Sequence, residues 1–417
     1  MYRVWDYVSA YSLLLVAGAL AALVWANVDP DSYHALAHLV LVEDFPIGEA
    51  QAEGGSVQHV LTLHFLVNDV FMAFFFAIAG KEVWEALILE QGSLRGRKAL
   101  TPLIATAGGM AGPVAVYLGL AAWLGILREV GHGWAVPTAT DIAFSYLAGR
   151  LVFGAGHPAI RFLLLLAIAD DAAGLVILAL FYPTAELQPA WLLLSGGASL
   201  AVFLAANWLP RHLDRGRPLR PVSTWVRRRL GFWPYLLAGA ASWYGFQQAG
   251  IHPALGLLPV IPAIPHADRA FGVFAEAEAH LHDLLNTIEH ALKRPVEVVL
   301  FFFGLMNAGV AFGAIGAPTW LVLLGLVVGK PLGIFGFGWL AARVLGLGLP
   351  KGMRLADLAV VGCVAAIGFT VALFVATVAF DPGPLQDAAK MGALFSFAAM
   401  GLSLVAGRLA RVRKVDG

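Results

Sequence analysis

The chain has 417 residues, of which 59% are hydrophobic and 13% charged, and its 27 basic and 27 acidic side chains cancel at neutral pH. A soluble domain carries about a quarter charged residues; half that share, set around long apolar runs, excludes a water-soluble globule and makes lipid the solvent. Balanced charge leaves no nucleic-acid partner to expect, and the single cysteine, Cys363, excludes a disulfide framework.

A helix crossing the hydrocarbon core needs roughly 20 apolar residues. Along the chain, candidate spans fall at about 11–27, 59–80, 99–125, 134–153, 159–181, 190–209, 231–249, 251–265, 296–315, 319–342, 357–379 and 388–408, which makes about twelve. The first is expected to be an uncleaved span, since no small-x-small cleavage site precedes the acidic segment after it. The eighth is short and carries four prolines.

Lysines and arginines sort by side, as the positive-inside bias requires. With the N-terminus in the cytoplasm, the odd connections carry only Arg128 and Lys390, and the first of them, 28–57, holds Asp29, Asp31, Glu43, Asp44, Glu49 and Glu53 with no basic residue. Apart from Arg3 before the first span and Lys330 within a span, the even connections and the tail hold the others, including seven arginines from Arg211 to Arg229. Loss of one span would scramble this alternation, so both termini are expected in the cytoplasm. Phe274, Ala277, Leu281, Leu284, Leu285, Ile288 and Leu292 recur at helical spacing and predict an amphipathic helix within 266–295. The fold class expected is an all-α membrane protein forming one transporter domain. No phosphate-binding glycine loop is present, so energy must come from a gradient.

Ionisable groups stand mid-span at Asp69, Asp141, Asp170, Asp171 and Lys330. Each costs roughly 2.5–3.5 kcal/mol at a helix centre, on the order of 12–17 for five. Asp69, beside Asn68, is compatible with a structural bracing role. Asp170 and Asp171 are different: adjacent carboxylates with one buried lysine leave excess negative charge that a cation or protons must neutralise. On one helix they point about 100° apart, so one can face a cavity while the other meets a neighbouring span.

Asp141 lies in WAVPTATDIAF, where Pro137 removes a backbone donor and Thr138 and Thr140 offer hydroxyls. An interrupted span is expected here, because broken backbone at membrane depth survives only where it lines a cavity or is otherwise satisfied. A second interruption is expected in VGCVAAIGFTVALF, around Gly362 and Gly368 with Thr370 following. These are spans 4 and 11, seven apart, as they would be if spans 3–5 recur inverted as spans 10–12. Where two half-helices meet, like dipole ends face each other; Asp141 and Lys330 are the candidates to neutralise the paired N-termini and C-termini.

The strings NDVFMAFFF (68–76), PTATDIAF (137–144), LAIADDAAGLVILALFY (166–182), MNAGV (306–310), GKPLGI (329–334) and IGFT (367–370) resemble the NhaA-type sodium/proton antiporters, a family that itself exemplifies the inverted repeat. The resemblance runs from about residue 6 to 410. It implies that Asp171 is the principal cation ligand, with Asp170 beside it alternating between protonation and an ion pair with Lys330. Thr140 would add a ligand oxygen, so that Asp171, Asp170 and Thr140 hold the sodium ion, and Asp141 would belong to the same cation- and proton-binding set while compensating half-helix ends. Glu82 and Glu289 match acidic positions of a cytoplasmic pH-sensing region, and His252 a histidine tied to pH response. The chain departs from the family pattern at Glu85, where a basic residue is usual, and at Lys293, where histidine is frequent. The 28–57 segment corresponds in position to the family's dimerisation region and implies a homodimer.

The implied activity is electrogenic exchange of Na+ or Li+ for H+ across the bacterial inner membrane, with no cofactor. Desolvation and mutual repulsion disfavour the doubly charged carboxylate pair, so a small cation and protons compete for the same oxygens. Competition with alternating access yields exchange. The alternative is an ion-coupled symporter of an organic anion on a similar scaffold, which central carboxylates would repel. An intramembrane aspartyl protease needs its two aspartates on separate helices, unlike LAIADDAAG.

Overall fold

A computed structural model of the chain describes residues 2–44, 46–53, 56–88, 97–215, 221–265 and 284–415. Hydrocarbon offers no partner to backbone N–H and C=O groups, so apolar runs close their hydrogen bonds internally as helices. Among the described residues six helices are long and apolar enough to cross a membrane: Leu63–Ile88, Ala99–Trp123, Pro158–Phe181, Pro189–Leu213, Ala317–Val344 and Pro384–Leu409. The bent pair Leu355–Ala365 and Phe369–Ala379, which meet at 51°, makes a seventh if taken as one span.

Twelve candidate runs thus yield fewer long helices, and the reasons are local. Trp233–Gln248 has only 16 residues, and Ile142–Phe153 only 12 because the chain is broken before it. The proline-rich run after it forms the 3₁₀ turns Pro253–Leu255 and Leu258–Ala263 and no α-helix, since each proline lacks a donor for the helical ladder. The helix Leu284–Asn307 contains the C-terminal part of the expected amphipathic stretch; Phe274, Ala277 and Leu281 lie outside the described residues.

Two expectations are corrected. The fold is not all-α, and the acidic 28–57 segment is not simply a loop: Val40–Val42, Glu49–Glu53 and Ser56–Thr62 form an antiparallel sheet with the last strand in the centre, paired Glu49 to Val60 through Glu53 to Ser56 on one side. Val57, Val60 and Thr62 in that central strand are β-branched, the type that fits a pleated surface. Lys390, expected in a connection, is buried within the helix Pro384–Phe395, because that helix starts four residues before the apolar run does.

The chain forms two compact units. The first comprises Met1–Ala35, Ser93–Ile177 and Leu300–Gly417, the second Leu36–Gly92 and Leu178–Val299. In the second, Trp243 packs with Phe65 and Ala73 and donates its indole N–H to the Asp69 carbonyl. A second cluster joins Val202, Tyr235, Val260 and Leu285.

In the first unit, helix Arg97–Trp123 lies backbone to backbone against the run leading into helix Lys330–Trp339. A methyl group on Gly108 or Gly333 would collide with the carbonyl of the other, and one on Gly112 would collide with the carbonyl of Gly329. Small residues four apart on both helices permit this approach, which substitutes van der Waals contact for the hydrophobic drive that lipid cannot supply. The contact sets where Lys330 stands. Gly333→Ala is therefore expected to destabilise the protein by about 1–3 kcal/mol through overpacking, whereas Gly336→Ala, where nothing lies within 4 Å, should not. Thermal melting of both variants in detergent checks this; equal melting of Gly333→Ala and wild type would refute the packing argument.

Candidate functional site

The site in the first unit is built where two chain segments lose helical structure side by side. The 3₁₀ helix Gly131–Thr138 ends in extended backbone at Ala139, and helix Ile142–Phe153 begins after Asp141. Opposite it, Leu355–Ala365 stops and Phe369–Ala379 starts three residues later. Broken helices expose backbone groups that must find partners, and each break satisfies the other. The Asp141 N–H donates to the Ile367 carbonyl at 2.8 Å. The hydroxyls of Thr140 and Ser145 donate to the terminal carbonyls of Ala365 and Val364, both at 3.1 Å. Gly368 N–H donates to Ser396 Oγ at 3.2 Å.

Asp141 sits at the start of two helices. Its Oδ1 accepts from Phe144 N–H at 3.1 Å, and its Oδ2 from the N–H of Thr370 at 3.2 Å and from the Thr370 hydroxyl. Lys330 stands at the opposite kind of end. Its Nζ donates to the carbonyl of Thr138, the last residue of the 3₁₀ helix, and to Asp170 Oδ2 at 2.7 Å. Lys330 is wholly buried and Asp170 nearly so, while Asp170 Oδ1 is buried with no hydrogen-bond partner among the described residues. A buried charge-assisted bond of this length is among the stronger polar contacts available to a protein. Thr140 lies beside the Asp170 carboxylate. Asp171, the next residue on helix Pro158–Phe181, is only partly buried and feels the charges of Asp170, Asp141 and Lys330.

Among the residues singled out in the sequence, Thr140, Asp141, Asp170, Asp171 and Lys330 are thus brought together. The same oxygens are what a small hard cation takes as ligands. Thr370, Ser145 and Ser396 complete the set and were missed; a hydroxyl within one turn of each break was the only available signal.

The pH-related candidates lie in the second unit and do not all meet. Lys81 Nζ is 2.7 Å from Glu289 Oε2, 3.1 Å from Glu85 Oε2 and 3.8 Å from Glu82 Oε1. One ammonium group therefore serves three carboxylates, and Glu85, the departure from the family pattern, is one of them. The Lys293 side chain lies outside the described residues. Lys81 was legible only as a basic residue after the second span; its spacing of four to Glu85 was the missed signal.

His252 is elsewhere. Its Nδ1 accepts the Ala254 N–H at 3.3 Å and stands 3.7 Å from Asp69 Oδ1. Along helix Leu63–Ile88, Asp69 and Lys81 are twelve residues, roughly 18 Å, apart. Asn68 and Asp69 sit in the π-helical turn Leu66–Phe71, and the Asn68 amide meets His64 Nε2 at 2.8 Å. Lys330 likewise follows a π turn, Gly325–Gly329. Such turns re-aim side chains and gather at functional positions, and no residue pattern announced either one.

The chain matches the family described as Na+/H+ antiporter 1 over residues 3–409. It is 68% identical to the Na(+)/H(+) antiporter NhaA of Jannaschia sp. (strain CCS1), with 100% of each chain covered. It is 46% identical to the Na(+)/H(+) antiporter NhaA 2 of Pelobacter propionicus, covering 97% of each chain, and 45% identical to the Na(+)/H(+) antiporter NhaA of Geotalea uraniireducens, covering 97% of this chain and 96% of that one. Among solved structures, the sodium proton antiporter MjNhaP1 from Methanocaldococcus jannaschii is similar with a TM-score of 0.47 and 15% identity, over 98% of each chain. The family match over residues 3–409 and full-length identity of 45% to 68% to these three relatives, together with a carboxylate pair, a buried lysine and two mutually bonded helix breaks, establish that the chain belongs to the NhaA-type sodium/proton antiporter family.

Proposed function

We propose that this chain exchanges Na+ or Li+ for H+ by competition at Asp170 and Asp171. The observation that carries this is the arrangement of charge: two adjacent carboxylates share one buried ammonium group, which among the described residues bonds Asp170 and the Thr138 carbonyl but not Asp171, and one Asp170 oxygen has no hydrogen-bond partner among those residues. Leaving such an oxygen dry and unpaired is costly, and a proton or a metal cation supplies what it lacks. Asp171 is the principal ligand and Thr140 a further oxygen. Asp141, with both oxygens taken by helix-start donors, acts by compensating the half-helix ends and not by direct coordination.

The charge count gives the electrogenicity. With Asp170 and Asp171 both protonated, the site holds two protons more than it does with both ionised and Asp170 paired to Lys330. A single cation bound in the latter state replaces those two protons, so one net charge moves per cycle. Alternation between sides then needs only that both occupied states permit the rearrangement and the empty one does not.

The membrane arrangement belongs to the same proposal. Twelve spans with both termini in the cytoplasm, an inverted repeat of spans 3–5 and 10–12, and the inner membrane as location are supported by the sorting of basic residues and by the two helix breaks. A homodimer through the 28–57 segment is supported by its exposed sheet edge, a surface suited to strand addition. Regulation by pH is assigned to Glu82 and Glu289, which with Glu85 crowd the one ammonium group of Lys81, and to His252, which stands beside Asp69.

Asp171→Asn is expected to abolish sodium-driven recovery of a quenched pH dye in vesicles while the protein inserts and melts as wild type does; undiminished recovery would sink the assignment. Lys81→Ala removes the cation common to three carboxylates. Breaking a buried pair costs about 3–5 kcal/mol, so the variant should melt well below wild type. Melting curves in detergent check this, and melting equal to wild type would contradict it.

A further inference from the structure

The Asp141 carboxylate is divided between two helices, one oxygen each. Oδ1 serves Ile142–Phe153 through the Phe144 N–H, and Oδ2 serves Phe369–Ala379 through Thr370. Its donors among the described residues are backbone N–H groups with one exception, the hydroxyl of Thr370. Backbone donors come with any residue at these positions; the hydroxyl does not. A hydroxyl bound to a carboxylate draws the anion's charge toward itself and fixes the oxygen's direction.

That charge matters nearby. Asp141 and Asp171 act on each other electrostatically, and Asp141 is continuous with Thr140, whose hydroxyl is tied to Ala365 and lies beside Asp170. An Asp141 oxygen released from Thr370 would present more of its negative charge to the carboxylate pair. It would also loosen the register in which residues 138–141 lie against 365–370.

We propose that Thr370 is a positioning residue of the cation site, holding Asp141 on the start of helix Phe369–Ala379 so that its charge is directed to the two helix starts and away from Asp171. This rests on the assignment of Asp170 and Asp171 as the exchange site. Thr370 touches neither of those carboxylates; it acts through Asp141.

The surroundings make the test practicable. Phe144, Phe369 and Phe397 form a cluster of edge-to-face rings, with centroids 4.6 to 5.7 Å apart, that pins both helix starts without Thr370. Ser396 holds the Gly368 N–H independently. A valine matches threonine in volume and removes only the hydroxyl. The charged groups that act on Asp171 among the described residues are Asp170, Asp141 and Lys330, and none of these side chains changes in the variant.

The experiment compares Thr370→Val, Thr370→Ser and Thr377→Val in proteoliposomes, reading sodium-dependent proton flux over a pH series. Thr377 is on the same helix, but its hydroxyl donates to the carbonyls of Leu373 and Phe374, so its variant controls for general effects of losing a hydroxyl there. The expected result for Thr370→Val is an apparent KM for Na+ raised about tenfold, the size of one lost charge-assisted hydrogen bond, with Vmax changed far less and the half-maximal pH displaced. Thr370→Ser should restore both values, and Thr377→Val should alter neither. Wild-type KM and pH profile in Thr370→Val would overturn the proposal. So would Thr370→Ser failing to rescue, or equal effects in Thr377→Val. If the valine variant does not fold, Thr370→Ala carries the same expectation, and failure of both to fold also overturns it. Normal exchange by Asp171→Asn would instead remove the assignment on which the proposal rests, whatever Thr370→Val does.

Discussion

Lys330 has no exposed surface, yet its ammonium group must be balanced where neither water nor ions surround it. It is balanced by one carboxylate oxygen, on Asp170, and one backbone carbonyl, on Thr138. That pairing imposes three conditions on the rest of the unit. The chain must be broken at residue 138 to free a carbonyl, helix Pro158–Phe181 must bring Asp170 to the break, and the run 325–330 must approach helix Arg97–Trp123 closely enough to put the amine between them. The glycines at 108, 112, 329 and 333 meet the third condition. A buried ion pair is weak evidence for stability, because desolvation offsets much of the attraction. Its persistence here points to a site whose charge has to change.

The helix breaks follow from the same constraint. A polar group at membrane depth needs a partner from protein, and the polar groups freed by one break are answered by those of the other. Thr140 and Ser145 take the carbonyls left by Leu355–Ala365, while Asp141 takes donors at the starts of Ile142–Phe153 and Phe369–Ala379. Helix ends carry partial charges of opposite sign, and the anion lies at starts while the cation lies at an end. The electrostatics of the breaks and of the carboxylate pair are therefore one system: a change of load at Asp170 alters what Lys330 can give to Thr138.

In the second unit one lysine answers three glutamates. Lys81 and Glu85 are both buried and stand one helical turn apart. Three carboxylates at one place make an excess of acid, and the lysine four residues before Glu85 supplies positive charge from the same helix face. His252, bonded through Nδ1 to its own turn, belongs to a separate neighbourhood with Asp69.

Much of this was legible in residue order. Apolar run length and the sorting of arginine and lysine define a multi-pass membrane chain, because hydrocarbon thickness and the cost of moving charge across it act on each segment independently of the others. The cost of a charge at mid-span likewise singles out Asp141, Asp170, Asp171 and Lys330 with no knowledge of their neighbours. Helix lengths were less legible: prolines and breaks shortened several runs, and the sheet in 40–62 was hidden in an acidic segment with no apolar period. The family resemblance implied the pairing of Asp170 with Lys330, but other meetings of polar groups were not legible. That Thr370 completes Asp141 and that Lys81 reaches Glu289 depend on contacts between residues more than two hundred positions apart. Solvation is a property of one segment, so the chain's order determined it; pairing is a property of two, and only the folded arrangement of helices decided it.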